Sequence, residues 1–150
     1  MIEINIESSL KEDANVLSDE VLSIGGVNYE LGPALKMGAP EIWQYKSIAD
    51  WPEGRFLFNS VVWFLKVIPI DVHFFKMINV GKLGFEEASS TLLNKKWCHE
   101  RTIESSDDGT IIRDQIRYQS RIPLVGNLLK PIYSMIFKHR HSRLVHRYGA

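Results

Sequence analysis

Cysteine is nearly missing: Cys98 stands alone among 150 residues. No disulfide can close within the chain, and the pattern fits a reducing compartment. The opening residues, MIEINIESSLKEDANV, hold no basic cluster and no long apolar core, so no secretory signal is read there. A cytoplasmic protein is therefore expected. Long apolar runs are missing too. The longest, residues 56–70, contains Asn59, Lys66 and Pro69 and is too short to span a bilayer comfortably. Net charge is absent, since 18 Lys and Arg balance 18 Asp and Glu. Nothing in that total suggests a nucleic-acid partner. The chain has no glycine-rich phosphate loop, serine nucleophile elbow or Cys-x-x-Cys pair. No cofactor is expected. Nor is a metal: His139, His141 and His146 lack the i, i+4 spacing or cysteine partner of a helical zinc site.

The length suits one domain, residues 1–150, with a sizeable core. Charge is unevenly placed. Residues 1–54 hold ten acids and three Lys or Arg, against eight and fifteen in 55–150. Either one domain has an acidic and a basic end, or a basic patch meets an anionic partner.

Residues 2–9 alternate isoleucine with polar residues, as a strand with one wet face does. A loop follows over 10–17. Ser18 is a plausible cap for a helix that Gly25-Gly26 ends, and a short helix or turn covers 27–35. Residues 35–45 suggest an irregular segment with an edge strand. Strands are then expected over 56–68, 71–80, 85–93, 96–104 and 110–121, with Pro69 breaking the first. Asp108-Gly109 marks a hairpin between the last two.

The final stretch, residues 123–148, carries Leu128, Leu129, Ile132, Met135, Ile136 and Leu144 near a 3.6-residue period. Pro131 implies a helical lead-in over 124–130 and a main helix over 131–147. From Lys138 onward the helix is basic. That end is read as a solvated terminus, with contact to a membrane surface as the alternative. An antiparallel meander needs one face covered, and this helix is long enough to cover it.

Phe85-Glu86-Glu87, then Trp97-Cys98-His99-Glu100-Arg101, then Asp108-Gly109-Thr110-Ile111-Ile112-Arg113-Asp114, and a last helix carrying Phe137-Lys138-His139-Arg140, together resemble the SRPBCC superfamily. This group includes START domains, birch-pollen-type allergens and bacterial polyketide cyclases. The resemblance covers residues 63–147. It implies an α+β helix-grip fold: a curved antiparallel sheet of about seven strands around a long C-terminal helix, with short helices after the first strand. It also implies an apolar cavity between sheet and helix that takes a lipid, polyketide or similar molecule. Some members catalyse cyclisation or dehydration.

Alternation then assigns faces. Trp97, His99, Arg101 and Ile103 should face inward from one strand, and Ile112, Asp114, Ile116 and Tyr118 from the next. A buried Arg and Asp must pair. They form either a structural ion pair or a polar floor to the cavity, on which His99 or Asp114 could act as acid or base. His73 is placed inward on its strand. Lys66 is taken to mark the even face of its strand as outer, leaving Val61, Trp63, Leu65 and Val67 inside. Leu128, Ile132 and Ile136 form the helix wall. Val62, Phe64, Val72, Phe74 and Ile78 would then make an exposed apolar patch, covered by the helices at 18–35 or used as a homodimer interface. Three functions remain open: a carrier or sensor of a small apolar molecule, a cyclase-like enzyme, and an association module with a filled interior.

Overall fold

The computed structural model describes residues 1–149. The chain runs β1 (Ile2–Leu10), α1 (Ala14–Val21), α2 (Ile24–Leu31), β2 (Leu35–Met37), α3 (Glu41–Gln44), a 3-10 turn (Ile48–Asp50), then β3 (Phe56–Phe64), β4 (Ile68–Gly81), β5 (Gly84–Thr91), β6 (Asn94–Ser106), β7 (Gly109–Ser120) and α4 (Val125–Tyr148). One sheet of seven strands is ordered β1-β7-β6-β5-β4-β3-β2, with every neighbour antiparallel. It curls around α4. Strands β1 and β2, consecutive in sequence, lie at opposite edges, so α1 and α2 carry the chain across the open side. This is the helix-grip α+β architecture that the family resemblance implies.

Local chemistry explains the early helices, which begin sooner than expected. Asp13, not Ser18, caps α1 by accepting from the Asn15 amide. Ser18 lies buried within α1, its hydroxyl donating to the Asn15 carbonyl. Ser23 caps α2 through the Gly26 amide, so Gly25-Gly26 opens a helix rather than ending one. A Cβ on Gly26 would lie 2.4 Å from the Glu20 carbonyl, so the close approach of α1 and α2 requires glycine there. Gly109, with φ +142°, plays the same part where β7 starts, since a Cβ there would meet the Leu10 carbonyl at 2.1 Å.

Two further expectations change. The β3 strand stops at Phe64, because Leu65 and Lys66 have positive φ and turn the chain into β4. Pro69 sits within β4, opposite Trp63 at an irregularity in register. Helix α4 is continuous from Val125 to Tyr148, with Pro131 inside it. Pro131 and Asn127 are exposed near the helix start, where water can serve the carbonyl that proline leaves free.

The larger core cluster includes Leu17, Leu22, Trp51, Met77, Ile112 and Leu144. A second joins Ile4, Trp97, Ile116, Tyr118 and Phe137 under α4. Among the described residues, no helix is long and apolar enough to cross a membrane. The α1–α2 pair packs on the concave side and leaves the outer patch uncovered. Ile78 is exposed there, Val72 and Phe74 are half-buried, and Val62 turns inward, with Phe64 on the same parity at the strand end.

Candidate functional site

Strand alternation buries Trp97, His99, Arg101 and Ile103 on β6, and Ile112, Asp114, Ile116 and Tyr118 on β7. Arg101 and Asp114 lie directly opposite in register. The guanidinium donates to the carboxylate twice, from Nε to Oδ1 and from Nη2 to Oδ2, each at 2.8 Å. Its other side grips Glu30 of α2, with Nη1 to Oε2 at 2.8 Å and Nη2 to Oε1 at 2.6 Å. One arginine thus pins the crossing helix to the sheet by two bidentate pairs.

Other side chains extend this pair into a network. His99 Nε2 lies 2.7 Å from Asp114 Oδ1, and its Nδ1 faces Glu87 Oε1 at 3.5 Å. Glu87, across from His99 on β5, also contacts His73 Nε2 at 2.8 Å and accepts from the Ser89 hydroxyl at 2.6 Å. From α4, His141 Nε2 donates to Asp114 Oδ2 at 2.7 Å while its Nδ1 meets the Ser8 hydroxyl at 2.8 Å. Arg140 Nε reaches Glu30 Oε1 at 3.1 Å. The result links β4, β5, β6, β7, α2 and α4 without a break.

Its charges explain its protonation. Three carboxylates (Glu30, Glu87, Asp114) face two guanidiniums (Arg101, Arg140), one positive charge short. His99 turns both ring nitrogens toward carboxylates, which favours its protonated form. Burial pushes its pKa down, but Asp114 and the bonds to Asp114 and Glu87 outweigh burial and raise it. Burial pushes Asp114 up, yet Arg101 and His99 hold its carboxyl well below the usual range. Glu30 is held down against burial by Arg101 and Arg140, and Glu87 by His73 and His99. Arg101 is correspondingly raised.

Above this layer, between the sheet, α2 and α4, lies a cavity of about 210 Å³. Its walls are mostly apolar, among them Trp51, Val62, Phe75, Met77 and Phe85. Along α4 the lining follows one helical face: Leu129, Ile132, Tyr133, Ile136, Phe137 and Arg140. Four members of the polar network reach it, namely His73, Glu87, His99 and Arg140. Arg140 is buried and lies with Cζ 4.9 Å from the Phe137 ring centre. Among the described residues its hydrogen bond is from Nε to Glu30, and neither Nη nitrogen bonds to protein.

Of the sequence-derived site residues, the structure brings His73, Trp97, His99, Ile132 and Ile136 to the cavity. The other five do not line it. Trp63 is on the convex face, because the inward face of β3 is Phe58, Ser60 and Val62. Lys66 misled here: it belongs to the turn and reports no strand face. Arg101 and Asp114 lie in the ionic layer and do not reach the cavity. Tyr118 is sealed in the second core cluster, where its hydroxyl donates to the Gly126 carbonyl at 2.7 Å, and burial pushes its pKa up to about 12. Leu128 is 72% exposed, off the cavity-facing stripe of α4. Glu30, Glu87, Arg140 and His141 were missed. Glu87 shares a buried alternation with Ser89 and Thr91, and Arg140 falls three and four residues beyond Phe137 and Ile136. The basic end of α4 is also not a free terminus. Arg143 and Arg147 stack on the Tyr29 ring at 4.3 and 4.6 Å, and His139 bonds the Gly32 carbonyl.

Strands and helix together define a domain of the helix-grip fold, and solved structures share that fold. Protein CV1439 from Chromobacterium violaceum superposes with a TM-score of 0.70 at 9% identity, covering 99% of this chain and 98% of that one. A START superfamily protein from Mycobacterium smegmatis gives 0.63 at 10%, covering 98% and 95%. DynU16, a protein of the dynemicin biosynthetic locus, gives 0.65 at 12%, covering 96% of this chain and 46% of that one. At such identities the likeness is one of fold. By sequence the chain belongs to the family described as Domain of unknown function (DUF8410), which matches residues 8–148. No curated protein matches it.

Proposed function

We propose that this domain binds a small hydrophobic molecule, a lipid, polyketide or similar compound, between the sheet and α4. The observation that carries this reading is the apolar cavity meeting, on one side, His73, Glu87, His99 and Arg140. Apolar walls favour an apolar body, while few convergent polar groups orient one polar end. The partnerless Nη nitrogens of Arg140 fit an acceptor oxygen on that end. The cavity favours this reading over an association module with a filled interior. Native mass spectrometry of the purified protein, followed by solvent extraction, is the test. A retained apolar molecule of defined mass supports the reading. No retained mass, together with no thermal shift across a lipid and polyketide panel, ends it.

A cyclase-like enzyme is the second reading, and His99 favours it. A histidine lining the cavity, its pKa raised by Asp114 and by the bonds to Asp114 and Glu87, could give a proton to a carbonyl bound there. With a bound compound in hand, His99→Gln should then abolish its conversion while leaving it bound. Conversion unchanged by this substitution removes His99 from any such role.

A further inference from the structure

The cavity opens at one end of the fold. Ile70, Leu93 and Ile132 line it yet are 40–48% exposed, so they mark its mouth. Three segments meet there. The β5–β6 turn is tied to the start of β4, since the Leu92 and Leu93 amides donate to Asp71 Oδ1. It is tied to the approach and start of α4 as well, by the Arg121 amide on the Leu93 carbonyl and by Asn94 on the Tyr133 hydroxyl.

The rim these segments form is apolar and exposed. Leu65, Val67 and Ile68 stand at the β3–β4 turn, Leu92 at the β5–β6 turn, and Leu124 and Leu128 at the start of α4. Val67 and Leu128 are each 72% exposed. Cations are interleaved with them. Residues 64–70, 92–96 and 121–135 carry Lys66, Lys95, Lys96, Arg121 and Lys130, all exposed, and no Asp or Glu. In a chain whose charges balance overall, this end combines an apolar rim with an excess of positive charge: against the five cations stands Asp71, half-buried with its Oδ1 accepting from the Val72, Leu92 and Leu93 amides. The acids of the β6–β7 turn, Asp107 and Asp108, lie at the other end of the sheet. In the more conspicuous basic run, at the end of α4, Arg140, Arg143 and Arg147 are engaged with Glu30 and Tyr29 of α2.

From this juxtaposition we infer that the cavity mouth docks onto an anionic lipid surface. Apolar tips on two turns and a helix start enter the interface, and the five cations meet acidic headgroups. Charge complementarity selects this occupant: a second copy would bring five like charges against five. Docking in this pose opens the apolar interior toward the bilayer, so a membrane-dissolved molecule need not cross water to enter. The docking itself depends only on the rim and stands or falls apart from the ligand reading.

Co-sedimentation of the full chain with vesicles tests it, using pure phosphatidylcholine against phosphatidylcholine containing about one-third phosphatidylglycerol. Binding is expected to the anionic vesicles only, and to be lost in about 0.5 M salt, where screening is short-ranged. Lys66→Glu with Lys130→Glu should weaken partition about tenfold or more. Val67→Asp with Leu128→Asp should do the same at unchanged melting temperature, as both sites are exposed. Lys82→Glu, in the β4–β5 turn at the far end, should bind as the wild type does. No binding, equal binding to neutral vesicles, or binding indifferent to both double variants overturns the inference. So does a dimer in light scattering that Val67→Asp with Leu128→Asp dissolves, because the rim would then belong to a second copy.

Discussion

His99 Nε2 sits 2.7 Å from Asp114 Oδ1, on a carboxylate that Arg101 and His141 also hold. Asp114 thus receives four donated bonds from three side chains and is 1% exposed. The arrangement joins the two strands at the floor of the fold to the helix that closes it. It also makes the Arg–Asp pair primarily structural, since neither residue reaches the cavity. The chemistry available to a bound molecule lies one layer up, on His73, Glu87, His99 and Arg140.

Removing the central arginine should therefore be costly. Arg101→Met leaves the Glu30 and Asp114 carboxylates buried without their guanidinium. A loss of about 3–5 kcal/mol is expected, as when one partner of a buried pair is removed. Urea denaturation measures it. The comparison is Arg113→Met on the convex face, whose partners Glu7 and Glu104 are exposed. That change should leave stability nearly unaltered. Equal effects would mean that the buried network does not hold the fold.

Stability should fall on both sides of neutrality, for opposite reasons. The Asp114, Glu30 and Glu87 carboxyls are depressed in the folded state. Their contribution is present above ordinary carboxylate pKa values and is lost as pH drops below about 4. His99 is raised, so the folded chain keeps a proton that the unfolded chain gives up. Its contribution is full below about pH 6.5 and declines as pH rises through the folded value, with a slope of at most about 1.4 kcal/mol per pH unit. Melting temperatures from pH 5 to 9 should show this alkaline decline in the wild type and its flattening in His99→Gln. A wild-type curve that is flat above about pH 6.5 would show His99 to be neutral in the fold.

Arg140 separates binding from folding. Glu30 keeps Arg101 when Arg140 is replaced, so Arg140→Met should cost only about 1–2 kcal/mol. If a ligand oxygen sits on its free Nη nitrogens, affinity for the retained molecule should drop about tenfold to a hundredfold. Isothermal titration with the extracted compound would show this. Unchanged affinity places the polar end of the ligand elsewhere in the cavity.

Much of this was legible in the sequence where period and burial agree. The β6 and β7 alternation places eight residues correctly because an inward Trp97 and Ile103, or Ile112 and Ile116, fix the face of the polar residues between them. Loss of legibility has specific causes. Arg140 and His141 resemble the solvated charges around them, and only the partners Glu30 and Asp114, far apart in sequence, reveal their burial. Glu30 sits on a helix whose start was hidden by Gly25-Gly26, usually a stop. Pro131 suggests a break in α4 that an exposed position lets the helix tolerate.

The β3 strand shows how one turn residue inverts a face, and it supplies a direct test of the cavity. Counted as a strand residue, Lys66 puts Trp63 inside. With Lys66 in the turn, the parity reverses and Val62 points into the cavity instead. Val62→Phe should then fill part of the cavity. Stability should change by less than about 1.5 kcal/mol, because added carbons enter open space rather than a packed core. Ligand retention, read by native mass spectrometry, should fall at least about tenfold, since the cavity volume is shared. Trp63→Phe, on the convex face, should leave retention untouched. If Trp63→Phe loses the ligand and Val62→Phe keeps it, the molecule binds outside the grip of α4.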